Sequence, residues 1–230
     1  MVPQWLVVVS WVFILTAVVC AIDIAVDIWV RRYRQPMRVM EAVWPVTALY
    51  FGPAASWAYR RFGRPTSRRW QREHDVDEPP EKPRWATTAI GVSHCGAGCT
   101  LGDIVAEFLV FATAITIASH AVFAEMIGDY ILAVLLGVAF QYFAIAPMRG
   151  LGLRKGLVAA VKADILSLTA FEVGLFGWML LMAFVFFPGP HLQPNQVTYW
   201  FLMQIGMVIG FFTAWPANVW LIRRGIKEAM

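Results

Sequence analysis

Residues 5–30 read WLVVVSWVFILTAVVCAIDIAVDIWV, an apolar run interrupted only by Asp23 and Asp27. A helix needs about 20 mostly apolar residues to cross the hydrocarbon core of a bilayer, and this run is long enough. Five further stretches repeat the pattern: 39–59 (carrying Glu41, Pro45 and Pro53), 85–118, 123–148, 157–187 and 197–222. Composition agrees, since the 230 residues are 59% hydrophobic and 15% charged, against roughly 45–50% and about 25% in soluble domains. That balance excludes a disordered chain and an ordinary cytosolic enzyme. Three cysteines, an odd number, make no disulfide framework. The expected fold is all-α, an integral membrane bundle of about six transmembrane helices.

The basic residues divide the chain. Arg60, Arg61, Arg64, Arg68, Arg69, Arg72, Lys82 and Arg84 fill the one long polar stretch, which then turns acidic (Glu73 to Glu81) and proline-rich (Pro79, Pro80, Pro83). Residues 1–59 therefore read as two N-terminal membrane segments, 60–84 as a cytoplasmic charged linker of flexible composition, and 85–230 as a four-helix membrane core. Arg149, Arg154 and Lys155 lie in the fourth-to-fifth loop, and Arg223, Arg224 and Lys227 follow the last segment. With six spans these groups share one side with the linker, so the positive-inside rule puts both termini in the cytoplasm. One loop disagrees. Arg31, Arg32, Arg34 and Arg38 fall on the expected outside, so either 39–59 is re-entrant or these arginines snorkel at an outer interface. The cations flank apolar segments rather than lining a groove, and residues 64–83 have no aromatic interleaving beyond Trp70, so no nucleic-acid partner is expected.

The chemistry concentrates in Ser93-His94-Cys95-Gly96-Ala97-Gly98-Cys99-Thr100-Leu101-Gly102-Asp103, followed by Glu107. Thiolates are soft donors and imidazole a borderline one, a set suited to Cu(I) or Zn(II). Cys95 and Cys99 share a helical face, and Asp103 and Glu107 continue that row with about 40° of drift per step. His94 lies about 140° around a regular helix from Cys99, so it joins both sulfurs only if Gly96-Ala97-Gly98 departs from helical geometry. Gly98 and Gly102 also form a small-xxx-small pair that lets helices approach closely, so the same face can serve packing alone. As a redox pair, Cys95 and Cys99 have Cα atoms within disulfide reach but poor Cβ directions.

Other ionisable residues stand at membrane depth, where a charge costs at least about 2.5–3.5 kcal/mol. Asp23, Glu125 and Asp129 fit headgroup positions, and Lys162 with Asp164 fits the cytoplasmic interface. Asp103, Glu107 and Glu172 lie well inside their apolar stretches and are expected to line a polar path. Met203 with Met207 and Met179 with Met182 are softer signals, since methionine also fills membrane cores. His120 and His191 read as solvated loop residues.

At the motif the chain resembles an uncharacterised bacterial membrane family, domain of unknown function 4396. Pro36-Met37, Trp44-Pro45-Val46-Thr47-Ala48-Leu49-Tyr50, Lys162-Ala163-Asp164 and Phe171-Glu172 extend the likeness. The family brings no established activity. His-Cys-x-x-x-Cys is also similar to the opening of a span in six-helix proteins of the sulfite-exporter and thiol-reductant transporter group. That likeness implies soft-metal or thiol chemistry by analogy.

The function expected is binding and transport of a soft metal ion, copper first and zinc second, in the bacterial cytoplasmic membrane. His94, Cys95 and Cys99 would be the metal ligands, and Asp103, Glu107 and Glu172 the polar pathway. The partners this implies are the lipid bilayer, a metal chaperone or metalloenzyme, and further copies of the chain. A membrane thiol-disulfide oxidoreductase and a non-catalytic membrane subunit are the alternatives.

Overall fold

The computed structural model describes residues 2–150 and 152–227; the side chains of 145–149, Arg149 among them, lie outside the described part. Most of the described residues are helical, and none lies in a β-strand. In chain order the helices are α1 (Gln4–Ala25), α2 (Met40–Phe51), α3 (Pro53–Ala58), α4 (Arg68–Glu73), α5 (Arg84–Thr113), α6 (Ala121–Arg149), α7 (Leu153–Leu181) and α8 (Val197–Arg223). Five helical stretches are long and apolar enough to cross a membrane: Gln4–Val30, Arg84–Thr113, Ala121–Ala144, Leu153–Phe186 and Val197–Arg223.

α5 is the most enclosed of these, and it packs along α6 while α7 packs along both α6 and α8. Small residues set the spacing. A Cβ on Gly98 would lie 2.7 Å from the Cα of Gly137, and one on Gly102 would lie 2.6 Å from the amide nitrogen of Ala133. The α5 and α6 backbones therefore touch, as small-xxx-small packing requires. On the far side, a Cβ on Gly210 would lie 2.7 Å from the carbonyl oxygen of Phe171, which brings α8 onto α7.

The second expected span is not one helix. Residues 39–59 form α2 and α3, broken at Gly52, whose φ of +53° and ψ of −125° suit glycine and few other residues. Pro53 starts α3, where its missing N–H costs nothing. The two helices fold back as a hairpin. Trp44 near the start of α2 lies against Gly63 beyond α3, so closely that a Cβ there would sit 2.6 Å from the indole. At the tip, Gln204 of α8 donates from Nε2 to the Leu49 carbonyl at 2.6 Å, satisfying backbone that the break leaves free.

The chain before and after the hairpin consequently meets at one end. Tyr33 donates its hydroxyl to Glu73 at 2.7 Å, Thr66 Oγ1 lies 3.1 Å from Gln35 Oε1, and Arg69 donates to the Arg31 carbonyl. The guanidinium carbons of Arg64 and Arg69 stand 3.9 and 4.9 Å from the Tyr33 ring centre. Part of the expected linker is thus built into the fold, with α4 capped by Ser67, whose Oγ accepts from the Trp70 amide.

Candidate functional site

α5 carries the motif as continuous helix, so Gly96-Ala97-Gly98 makes no departure that would swing His94 toward Cys99. His94 is fully buried, its ring set edge-on to Phe140 with centroids 6.4 Å apart. Neither of its nitrogens has a hydrogen-bond partner among the described residues. Those residues also contain no ready-made group of three or more His, Cys, Asp and Glu side chains able to hold a metal ion. The expected triad of His94, Cys95 and Cys99 is therefore not assembled as it stands, because the regular helix keeps the imidazole on another face.

Cys95 and Cys99 are free thiols with different surroundings. Cys95 donates to Asp164 Oδ1 at 2.5 Å and accepts from Ser167 Oγ at 3.1 Å and from Lys227 Nζ at 2.6 Å. Ser167 in turn accepts from Asn218 Nδ2 at 2.5 Å. Cys99 lies one turn further along α5, beside Glu172 and Asp103.

Beyond Cys99 the interior turns acidic. Asp103 and Glu107 from α5, Asp129 from α6 and Glu172 from α7 are buried, and all eight carboxylate oxygens lack a hydrogen-bond partner among the described residues. They neighbour one another: Asp129 faces Asp103, Glu107 and Glu172, with Glu125 at its outer side. The Tyr199 hydroxyl, from α8, is buried and faces Glu107 without a hydrogen bond of ordinary length. Four carboxyl groups in one dry interior cannot all carry charge unless cations lie among them.

The acidic cluster adjoins a cavity of about 240 Å³ at the end of the bundle where the α5–α6 and α7–α8 connections lie. Glu125 and Tyr199 line it, together with Met179, Met182, His120 and His191. The two imidazoles, one from each connection, have ring centres 6.2 Å apart. Met203 and Met207 lie instead in the packed core, where Thr100 Oγ1 approaches Met207 Sδ at 3.8 Å.

The residues form a column: cavity, Glu107 with Asp129, Asp103 with Glu172, Cys99, then Cys95. Its α5 side is legible in the sequence because Cys95, Cys99, Asp103 and Glu107 repeat at helical spacing, and Glu172 because it stands inside an apolar run. Asp129, expected among headgroups, and Asp164, expected at an interface, are both fully buried. Lys227, counted among the flanking cations, is 2% exposed. Nothing in the periodicity marks Lys227, which lies beyond the end of α8.

The family model for "Domain of unknown function (DUF4396)" matches residues 84–227. That range is well over half of the chain, and the chain belongs to this family. It begins at α5, so the likeness at residues 36–50 lies outside it, while the whole column lies within it. No curated protein and no solved structure matches the chain.

Proposed function

With membership of this family as the premise, we propose that the chain is a multi-pass membrane protein that moves a cation along the buried column. The observation that carries this reading is the set of four buried carboxyl groups, from three helices, without hydrogen-bond partners. Uncompensated carboxyls are costly at membrane depth and mark ion or proton pathways. The cavity lined by Glu125 and Tyr199 serves as the outer mouth. The thiols of Cys99 and Cys95 at the other end favour a soft ion, copper first and zinc second. The donor set differs from the expected triad: Cys99 works with Glu172 and Asp103, and Cys95 with Asp164. A metal chaperone or metalloenzyme at the cytoplasmic face would supply or receive the ion.

The proposed membrane topology is five spans and one re-entrant hairpin. Residues 31–35 touch residues 66–73, so the two arginine-rich segments share a face. Making that face cytoplasmic puts Arg31, Arg32, Arg34 and Arg38 with the other basic residues and removes the one exception to the positive-inside rule. The end of α8 is then cytoplasmic, and the N-terminal end of α1 lies on the outer side of the bacterial cytoplasmic membrane, instead of both being inside.

The test is cation flux in proteoliposomes loaded in turn with a proton-sensitive and a metal-sensitive dye. Copper or zinc entry that falls at least tenfold in Asp103→Asn and in Cys99→Ser supports the soft-metal reading. Proton flux lost in Asp103→Asn but retained in Cys99→Ser narrows the cargo to protons. No flux of either kind above empty vesicles rejects transport, and a Cys95–Cys99 disulfide cycling with reductant would then favour the oxidoreductase.

A further inference from the structure

Lysine is almost never fully buried unless it is paired. Lys227 lies in the turn after α8, and its side chain is 0% exposed. The ammonium has three acceptors of three chemical kinds. They are the Gly91 carbonyl at 3.2 Å, the Cys95 sulfur at 2.6 Å and the Asp164 carboxylate at 3.3 Å. The second oxygen of Asp164 is buried and without a hydrogen-bond partner, as are both nitrogens of the neighbouring His94. Gly91, His94 and Cys95 come from one helix, Asp164 from another, and Lys227 from a segment outside the bundle's long helices.

An ion pair of this kind is a poor source of stability. Desolvating both charges offsets most of their attraction, and an apolar pair of similar volume does as well. Packing alone therefore gives little reason to thread a lysine into this position. The surroundings instead match what a metal cation takes: a carbonyl, a thiolate, a carboxylate, and an imidazole with a free nitrogen nearby. We infer that Gly91, Cys95 and Asp164, with His94 alongside, form a cation site at the cytoplasmic end of the column. The Lys227 ammonium fills this site as a tethered plug, and a soft or borderline metal ion is its competing occupant. The inference rests on the transport reading for its meaning, since the plug closes the exit of the proposed path.

Exchange balances simply. The metal ion enters and the lysine withdraws to water, still protonated. Cys95 releases its thiol proton to solvent as it becomes a thiolate ligand. No electron moves.

Two measurements test this on the full-length protein in detergent, with Zn²⁺ as the probe. In equilibrium dialysis, Lys227→Met binds one Zn²⁺ at least tenfold more tightly than the parent chain, and Lys227→Met with Asp164→Asn loses that gain. In the parent chain, Lys227 is slow to acetylate with a water-soluble acylating reagent, and saturating Zn²⁺ raises its modification several-fold by mass spectrometry. Unchanged Zn²⁺ affinity in a folded Lys227→Met variant overturns the plug. So does Lys227 modification indifferent to Zn²⁺, and this second readout applies whether or not the variant folds. Zn²⁺ binding that depends on Lys227, in a protein without flux, would sink transport and leave the site standing. Flux indifferent to Lys227→Met would sink the plug and leave the path.

Discussion

Asp23, Asp27, Glu41 and Glu73, ahead of the four-helix core, and Asp103, Glu107, Asp129 and Glu172, inside it, are treated oppositely. Asp27 receives Tyr59 Oη at 3.0 Å and pairs with Arg64 at 3.2 Å and Arg31 at 3.3 Å. Glu41 is held by Arg34 at 2.7 Å and the Trp29 indole at 3.2 Å, Asp23 by Arg60 at 2.7 Å, and Glu73 by Arg69 and Tyr33. Asp103, Glu107, Asp129 and Glu172 have no such partners among the described residues. A carboxylate held by arginines is a structural fastener. A carboxyl buried beside other carboxyls is held by packing against its own electrostatic interest, and that contrast is what the proposed cation path rests on. The family match follows the same division, since it begins where the fastened part ends.

The sharpest way to break this comparison is to neutralise one member of each class. Glu107→Gln and Asp129→Asn are expected to cut cation flux at least tenfold while leaving the melting temperature in detergent equal or higher, since no ion pair is lost. Asp27→Asn is expected to leave flux per folded molecule intact and to lower stability by about 2–3 kcal/mol, because it strips charge-assisted bonds from a buried group. If Asp27→Asn abolished flux at full stability, or Glu107→Gln unfolded the protein, the two classes would not differ as argued.

A second test concerns the scaffold beneath the column. Gly102→Leu must push a side chain into the α6 backbone at Ala133, which cannot move aside as a flexible side chain would. Overpacking of this kind typically costs about 1–3 kcal/mol, and a backbone contact belongs at the upper end. Loss of folded yield, with Gly177→Leu unaffected because nothing lies within 4 Å of that position, would support direct α5–α6 contact.

A third test asks whether the fastened part is a hairpin in the membrane. Arg32→Cys and Arg68→Cys should react with a membrane-impermeant maleimide from the same side of a vesicle, and Thr116→Cys from the other. Labelling of positions 32 and 68 from opposite sides would restore the six-span arrangement.

The smallest effect belongs to Glu73. Hydrogen bonds from Arg69 and Tyr33 hold its carboxyl below the usual carboxylate range. The docking it provides is therefore complete above that range and is lost as pH falls through the lowered value. Amide exchange in α4 should quicken on acidification below about pH 4, where carboxylates normally protonate. Glu73→Gln should remove that step without altering flux.

Much of the fold could be read directly. Apolar runs longer than a bilayer is thick announce their helices, and four of the six expected segments correspond to the long helices of the core. Cys95, Cys99, Asp103, Glu107 and Glu172 were visible because polar residues at helical spacing stand out against apolar neighbours. Segment 39–59 was not settled by periodicity, since Pro45, Gly52 and Pro53 are compatible with both a kinked span and a hairpin.

Local sequence therefore determined the helical class, the apolar segments and one polar face of α5, because those depend on residues within a few turns of each other. Only the tertiary structure decided the rest. Residues 31–35 meet α4 through contacts some 40 positions apart, and Asp129 joins a cluster drawn from three helices. Lys227 reaches Cys95 across 132 positions. Each of these depends on how helices pack, and the small residues that set the packing carry no mark of which partner they will touch.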